Sequence, residues 1–243
     1  MLKILQKRYW PEFLERAKNG FKDDFYLQET FSNVCLHLPL KYDHIQNIII
    51  KTKKFYEIKY LEIVNSKYIP KNPIILDIGS NIGNHLVYFS KISNAKKVYG
   101  FEPQKDIFDI LDKNRLLNKC NAEIKNIALG DKIQNTEIDF FDKINVGATS
   151  LKYSDKGTIQ TSTLDEEFKN LKEKIDFIKI DVEGFEYFVL KGGQNLLLKH
   201  QPIIWIEMFN KNFFKVNELL NSFGYEIKDC LGTYNYIYAF KKV

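Results

Sequence analysis

The sequence predicts an α/β protein built on a mostly parallel, doubly wound sheet. From residue 74 onward, short apolar runs alternate with segments whose apolar residues recur at helical spacing, which is typical of parallel strands joined by helices. The last two apolar runs follow one another without a helix between them, which indicates that one antiparallel strand ends the sheet. At 243 residues, 44% of them hydrophobic, the chain is long enough to bury the core of such a sheet.

Five apolar runs are predicted to be the parallel strands. They lie at residues 73–79, 96–103, 122–129, 174–184 and 202–208. Helices are predicted at residues 84–92, 104–119, 185–200 and 212–224, and the closing hairpin at residues 225–231 and 234–242. The stretch 130–168 is less regular, with strand-like pieces near 137–141 and 158–161.

The first 70 residues differ from the rest. Helical segments with aromatic anchors are predicted at residues 8–21 and 51–68, and Pro70 and Pro73 precede the sheet. We therefore predict a helical N-terminal extension over residues 1–70, which caps the site and helps to bind the acceptor. The sheet domain is predicted to cover residues 71–243.

Charge and cysteine content exclude several classes of protein. The net charge of +5 does not demand nucleic acid, and residues 1–70 carry 12 Lys or Arg against 8 Asp or Glu. That basic face is either solvated or attracts an anionic substrate. The three cysteines have no metal-ligand spacing, which argues against a disulfide framework or a zinc site. Without a signal-peptide pattern or an apolar run of ~20 residues, we expect a cytoplasmic protein with no membrane span.

The loop after the first strand, in the stretch IILDIGSNIGN, indicates a nucleotide-like cofactor. Ligands of open α/β sheets bind outside the carboxyl ends of the strands. Gly79 and Gly83 flank a turn where a ligand can approach the backbone and the free N–H groups of a helix. Glu102 ends the next strand about 20 residues later, where a carboxylate can accept both hydroxyls of a ribose.

Two departures from the dinucleotide fingerprint indicate which cofactor binds. Asn81 stands where a pyrophosphate needs glycine, and the carboxylate of Asp77 would repel phosphate and attract an amine. S-adenosylmethionine offers ribose hydroxyls to Glu102 and an ammonium group to Asp77, and it contains no phosphate. We therefore favour S-adenosylmethionine over a nicotinamide dinucleotide, and an oxidoreductase is the less favoured alternative.

Seven segments in order resemble the FkbM-type family of S-adenosylmethionine-dependent methyltransferases. They are LDIGSNIGNH, GFEPQ, NIALGD, GATSL, TSTLDE, IDFIKIDVEGFEYFVLKGG and PIIWIE. The resemblance covers about residues 55–210. It implies a Rossmann-like class I methyltransferase fold and methyl transfer, usually to oxygen, in pathways that decorate polysaccharides and secondary products. The acceptor differs among members of the family.

Three carboxylates at strand ends are the candidate catalytic residues. An alcohol acceptor needs a base, and Asp181 and Glu183 end the strand that faces the methyl group in the resembling fold. Asp181 is interpreted as the base or as the residue that orients the acceptor. Glu183 is its partner or, alternatively, a helix cap. Glu207 would bind acceptor hydroxyls or balance charge.

The resemblance also assigns residues to the cofactor. Asn126 and the backbone of Ala128 would read the edge of the adenine while Leu129 packs on its face. Pro103 joins Glu102 in this site. Phe55 would contact the sulfonium by a cation–π interaction, with packing in the core as the alternative.

The predicted function is O-methylation of a sugar hydroxyl. The favoured acceptor is a nucleotide-linked sugar, which the basic extension attracts. The reaction would belong to capsule, lipopolysaccharide or secondary-product biosynthesis. The alternative acceptor is a non-sugar small molecule, either an amine or a polyketide hydroxyl. Nucleic-acid methylation is disfavoured because the Asn/Asp-Pro-Pro-Tyr and Pro-Cys motifs of such enzymes are absent. Without paired acids at a strand end, a metal-independent reaction is favoured over one that uses a divalent metal. The sequence leaves a homo-oligomer as an open possibility.

Overall fold

The computed structural model describes residues 26–29, 34–140 and 144–241, with backbone only for residues 26–29. The strands are β1 (Tyr26–Glu29), β2 (Val34–His37), β3 (Ile74–Ile78), β4 (Lys97–Phe101), β5 (Ala122–Lys125), β6 (Ala128–Leu129), β7 (Gln134–Phe140), β8 (Ser150–Tyr153), β9 (Ile159–Ser162), β10 (Phe177–Ile180), β11 (Ile203–Glu207), β12 (Tyr225–Leu231) and β13 (Asn235–Phe240). The helices are α1 (His44–Thr52), α2 (Ile58–Lys67), α3 (Asn84–Lys91), α4 (Lys105–Leu117), α5 (Leu164–Glu167), α6 (Glu186–Lys191), α7 (Gln194–His200) and α8 (Asn210–Ser222), with a short 3-10 helix at Val146–Ala148.

The central sheet has seven strands in the order β12-β13-β11-β10-β3-β4-β5. Strands β11, β10, β3, β4 and β5 are parallel, and β13 lies antiparallel between β11 and β12. The chain runs outward from β3 in both directions, so the strand order reverses between β3 and β10. The predicted doubly wound fold with one inserted antiparallel strand is confirmed, and it locates the ligand crevice at the carboxyl ends of β3 and β10.

Each face of the sheet is covered by its own layer of helices, because alternate residues of a strand point to opposite faces. On β10, Phe177 faces the core that contains helices α1 to α4, and Ile178 and Ile180 face the core that contains helices α5 to α8. Trp205 of β11 lies in the same core as Phe177. The buried strands therefore carry apolar residues on both faces, as two-sided burial requires.

Four parts of the fold differ from the sequence-based prediction, one of which is the predicted helix 185–200, divided into α6 and α7. The predicted strand 122–129 is divided, because β5 belongs to the central sheet whereas β6 joins a second sheet of order β6-β9-β7-β8. The predicted helix 51–68 is interrupted between α1 and α2, where Lys53 and Glu57 take left-handed backbone conformations. An antiparallel pair, β1 and β2, was not predicted. The predicted helix 8–21 lies outside the described residues.

Side-chain amides attach the extension to the sheet domain. On α4, the Asn114 amide accepts a hydrogen bond from the N–H of His37 and donates to the carbonyl oxygen of His37. Asn118, one turn later, makes the same pair of bonds with Cys35. The two amides thus act toward β2 as a neighbouring strand would. Over the described parts of the chain, no helix combines the length and the apolar composition needed to cross a bilayer.

Candidate active site

The loop between β3 and α3 is shaped by two glycines with left-handed backbone. Gly79 has φ +80°, and a Cβ atom there would lie 1.8 Å from the carbonyl oxygen of Asp181. Gly83 has φ +88°, and its Cβ would lie 2.8 Å from the side chain of Leu111 on α4. Close packing against β10 on one side and α4 on the other therefore requires glycine at both positions.

Asn81 takes the place of the glycine that is missing from the fingerprint, and it keeps a glycine-like backbone with φ +48°. Asparagine tolerates this conformation better than most residues. Its Oδ1 accepts from the N–H of Ile82 at 2.7 Å, and its own N–H donates to Oε2 of Glu102 at 2.9 Å. The loop is therefore tied to the end of the next strand by its backbone.

Glu102 is a buried carboxylate at the end of β4. Its Oε1 accepts from the N–H of Gln104 at 2.9 Å. Burial raises its pKa to about 7, against the effect of its two backbone hydrogen bonds. Each carboxylate oxygen has a lone pair left, so Glu102 can accept hydroxyl groups from a ligand.

Asp77 is a residue of β3, lies beneath this loop and is fully buried. Among the described residues, neither of its carboxylate oxygens has a hydrogen-bond partner. Burial raises its pKa, whereas the charges of Lys179 and His85 lower it. A buried carboxyl group without a donor fits a ligand that brings an amine, which agrees with the ammonium group of S-adenosylmethionine.

One cavity opens along the carboxyl ends of β3, β4, β10 and β11. Its lining from β6 and from the loops after β3 and β4 includes Gly79, Asn81, Glu102, Pro103, Ala128 and Leu129. Its lining from β10 and β11 includes Lys179, Asp181, Glu183 and Glu207. His44, Ile45 and Tyr56 of the extension, with Gly147 to Thr149, contribute a third side. We call the first set the cofactor wall and the second set the acceptor wall.

Lys179 is the centre of charge on the acceptor wall. Its Nζ donates to Oδ2 of Asp181 at 3.0 Å, and its side chain is 2% exposed. Burial lowers the pKa of Lys179, but the charges of Asp181 and Asp77 outweigh it and raise the pKa. The sequence analysis did not single out this lysine, although a lysine inside the apolar run FIKI is an unusual residue for a buried strand.

Glu183 and Glu207 are two further acids of the acceptor wall. Burial, with the nearby charge of Asp181, raises the pKa of each to about 8. The helix-capping alternative for Glu183 is not what the structure contains, because α6 begins after Phe185 and no side chain makes a capping hydrogen bond there. The acceptor wall thus offers carboxyl groups that exchange protons near neutral pH.

The extension brings a tyrosine and an acid to this region that the sequence analysis did not assign. Glu57 approaches His85 of α3, with Oε2 and Nε2 3.3 Å apart. Burial is the main cause that raises the pKa of Tyr56, and the negative charges of Glu57 and Glu207 raise it further. The contact between Glu57 and His85 could not be predicted from the sequence, because it depends on how two separate segments of the chain pack together.

Four of the predicted cofactor residues lie outside the cavity lining. Phe55 is buried and makes an edge contact with Tyr88 at 5.3 Å, which corresponds to its packing alternative. The amide nitrogen of Asn126 donates to the carbonyl oxygens of Glu102 and Pro103, so it supports their loop. Gly83 and Asp77 lie behind the wall, as described above. No group of three or more His, Cys, Asp or Glu in the described residues is arranged to hold a metal ion.

Comparison with known proteins matches residues 77–227 to the methyltransferase FkbM domain family. Curated relatives include methyltransferase sdnD of Sordaria araneosa, 28% identical over 160 residues, with 51% of this chain and 61% of sdnD covered. Hexuronic acid methyltransferase AglP of Haloferax volcanii is 32% identical over 130 residues, with 52% of each chain covered. The chain therefore matches between half and about three fifths of the length of these relatives.

A solved structure has a similar fold. The precorrin-6y C5,15-methyltransferase of Geobacter metallireducens has a TM-score of 0.50, with 13% identity, over 76% of this chain and 87% of that chain. At this identity the similarity concerns the fold alone, which is that of the class I methyltransferases.

Proposed function

Since the chain belongs to the FkbM methyltransferase family, we propose that it transfers the methyl group of S-adenosylmethionine to a hydroxyl group of a sugar. The matched region is an S-adenosylmethionine-dependent methyltransferase domain. The observation that carries the proposal is the juxtaposition, in one cavity, of Glu102 on the cofactor wall with Asp181 and Glu207 on the acceptor wall. A ribose-binding acid and acids for an alcohol acceptor are the two requirements of this reaction.

The cofactor wall would hold S-adenosylmethionine through groups already described. Glu102 would accept the ribose hydroxyls and Leu129 would pack against the adenine, while Asp77, buried behind this wall, would favour the positive charge of the ammonium group. When bound, this cofactor supplies a methyl group on a positively charged sulfur. The surplus of carboxylates around the cavity favours a cationic ligand.

The acceptor wall would orient and deprotonate the acceptor. Asp181, held in place by Lys179, would accept a hydrogen bond from the acceptor hydroxyl. Glu207 would receive the proton, because its pKa of about 8 is close to the pH at which a general base is most effective. Glu183 lies near Asp181 and would bind a neighbouring hydroxyl.

One comparison supports a small hydroxylated acceptor. The relative AglP is named a hexuronic acid methyltransferase, and the match covers about half of it. For the carrier of the sugar, the proposal keeps the nucleotide diphosphate predicted from the basic extension. A carrier bound through charge predicts an acceptor KM that rises with salt.

Turnover with a panel of acceptors tests the proposed function. The protein is incubated with S-adenosylmethionine and neutral or acidic sugars, each as a methyl glycoside and as a nucleotide sugar, and release of S-adenosylhomocysteine is followed. We expect release with at least one sugar and a loss of about 100-fold or more in kcat for Glu207→Gln at unchanged cofactor affinity. Glu226→Gln, an exposed acid on β12 paired with Lys228, is the control. Cofactor binding without methylation of any sugar would contradict the proposal.

A further inference from the structure

Lys179 is a buried cation on the wall of a cavity whose expected cofactor is itself a cation. Its side chain is 2% exposed, yet the residue lines the cavity. A positive charge there does not help to bind a sulfonium compound. The positive charge of Lys179 is therefore better suited to the acceptor than to the cofactor.

The ammonium group of Lys179 has hydrogen-bonding capacity left. A lysine has three N–H donors, and one of them points to Oδ2 of Asp181 at 3.0 Å. Within the described residues, that carboxylate is the hydrogen-bond acceptor that the structure gives to this ammonium. The ring of Trp205 lies 5.8 Å away and offers a weak cation–π contact. Because unused donors are costly when buried, they indicate an oxygen atom supplied by a ligand in the cavity.

The charged groups around Lys179 come from each element that packs against it. Asp77 is its register neighbour on β3. Asp181 and Glu183 come directly after β10, Glu207 ends β11, and Glu57 comes from the extension, with His85 of α3 beside Glu57. All of these neighbours but the histidine are acids, so the ammonium group of Lys179 lies among carboxylates that can receive a proton.

We propose that Lys179 binds the reacting oxygen of the acceptor, stabilises the negative charge that develops on it, and thereby selects hydroxyl acceptors over amines. This inference rests on the proposed function, and it assigns the catalytic residue that recognises the nucleophile.

The reaction balances with the groups on the acceptor wall. The acceptor O–H bond breaks and its proton passes to the carboxylate of Glu207. A lone pair of the oxygen forms the new C–O bond with the methyl carbon, and the pair of the broken C–S bond stays on sulfur. The positive sulfur becomes neutral. The negative charge that Lys179 stabilises therefore exists on the acceptor oxygen only while its proton is leaving.

The number of lone pairs explains the selection against amines. A hydroxyl oxygen has two lone pairs, so one accepts from Lys179 while the other attacks the methyl carbon. An amine nitrogen has a single lone pair. If it accepts from Lys179 it cannot attack, and if it attacks, the N–H of Lys179 that faces the ligand has no acceptor.

A substitution isolates this role. Lys179→Met removes the donors and the charge, and we expect kcat for the sugar acceptor to fall by about 100-fold or more. The affinity for S-adenosylmethionine should stay the same or increase, because a like charge is removed. The rise of kcat with pH should move to higher pH, since the acceptor hydroxyl is harder to deprotonate. Lys191→Met is the matched control, because Lys191 pairs with Asp131 at 2.8 Å outside the cavity lining. A purely structural role would weaken cofactor binding and leave the pH profile in place.

The wild-type protein provides a second measurement that does not depend on the variant folding. The best sugar acceptor is compared with its analogue in which the methylated hydroxyl is an amine, and we expect kcat/KM to favour the hydroxyl at least about 10-fold. Equal rates for the two acceptors, or a Lys179→Met variant that keeps its activity, overturn the role of Lys179 alone. Cofactor binding without turnover of any sugar overturns the proposed function and this role together.

Discussion

The cofactor wall and the acceptor wall use carboxylates in opposite ways. On the cofactor wall, Glu102 accepts two backbone N–H groups from its own neighbourhood, at Asn81 and Gln104. On the acceptor wall, the hydrogen bond between Lys179 and Asp181 joins side chains, and nearby like charge helps to raise the pKa of Glu183 and Glu207. The first wall holds a fixed shape for one ligand, whereas the second holds groups whose protonation can change during a reaction.

Substitutions in the cofactor wall should therefore change the shape of the site, and substitutions in the acceptor wall should change its chemistry. A backbone-defined wall is sensitive to changes in volume and conformation. A wall of interacting side chains is sensitive to changes in charge.

Gly79→Ala should have the largest effect, because the new Cβ would overlap the carbonyl oxygen of Asp181 at 1.8 Å and the backbone is left-handed. We expect a loss of about 3–5 kcal/mol in the free energy of unfolding, measured by chemical denaturation, with loss of cofactor binding. Gly184→Ala is the control, since φ is +106° but the nearest atom to a Cβ is 3.7 Å away. It should lose only about 1–2 kcal/mol. Equal losses would show that backbone strain, and not the contact between β3 and β10, defines the wall.

Glu102→Gln should weaken the cofactor wall without unfolding the protein. One of the two backbone N–H groups then faces an amide NH₂, and the ribose loses a charged acceptor. We expect the affinity for S-adenosylmethionine to fall by about 10–100-fold, as for hydrogen bonds to a charged group, measured by calorimetry. Glu123→Gln on the neighbouring strand β5 is exposed and serves as the control. An unchanged affinity would remove Glu102 from the cofactor site.

The acceptor wall should make stability depend on pH. The pKa of Glu207 is raised from 4.5 to about 8, so between these values the folded chain keeps a proton that the unfolded chain has lost. Because the folded state binds more protons, the free energy of unfolding should fall as pH rises through this window. Glu207→Gln should be at least about 1 kcal/mol more stable than wild type at pH ~8.5 and equal to it at pH ~4. If the difference in the free energy of unfolding between Glu207→Gln and wild type is the same at every pH, the raised pKa of Glu207 is contradicted.

Asn81→Gly should have the smallest effect and tests the cofactor wall most finely. Glycine accepts the φ of +48°, and the loss is one hydrogen bond from Ile82 to the side chain. We expect stability to change by about 1 kcal/mol or less and cofactor affinity by about 3-fold or less. NADH should still not bind, because the acids that line the cavity remain. Tight NADH binding by this variant would mean that Asn81 alone excludes dinucleotides.

All three acids predicted for the acceptor wall line the cavity, whereas four of the ten predicted cofactor residues do not. The positions of Gly79 and Glu102 follow from the alternation of strands and helices, because adjacent parallel strands end at one edge of the sheet. Asn126 was predicted to touch the cofactor, and its amide instead binds two carbonyl oxygens of a loop that is distant in sequence. Phe55 and Tyr56 are neighbours in sequence, but only the fold decides which of them is buried in the core and which lines the cavity.

The sequence by itself determined the alternation of strands and helices, the inserted antiparallel strand, the glycine loop and its resemblance to a methyltransferase family, because periodicity and local turn chemistry are properties of short segments. Only the tertiary structure decided that Lys179 binds Asp181 on the cavity wall, that Glu57 meets His85, and that Asp77 is buried without a donor. Those features depend on how distant segments pack together, and packing sets the burial and the neighbouring charges that give a side chain its chemistry.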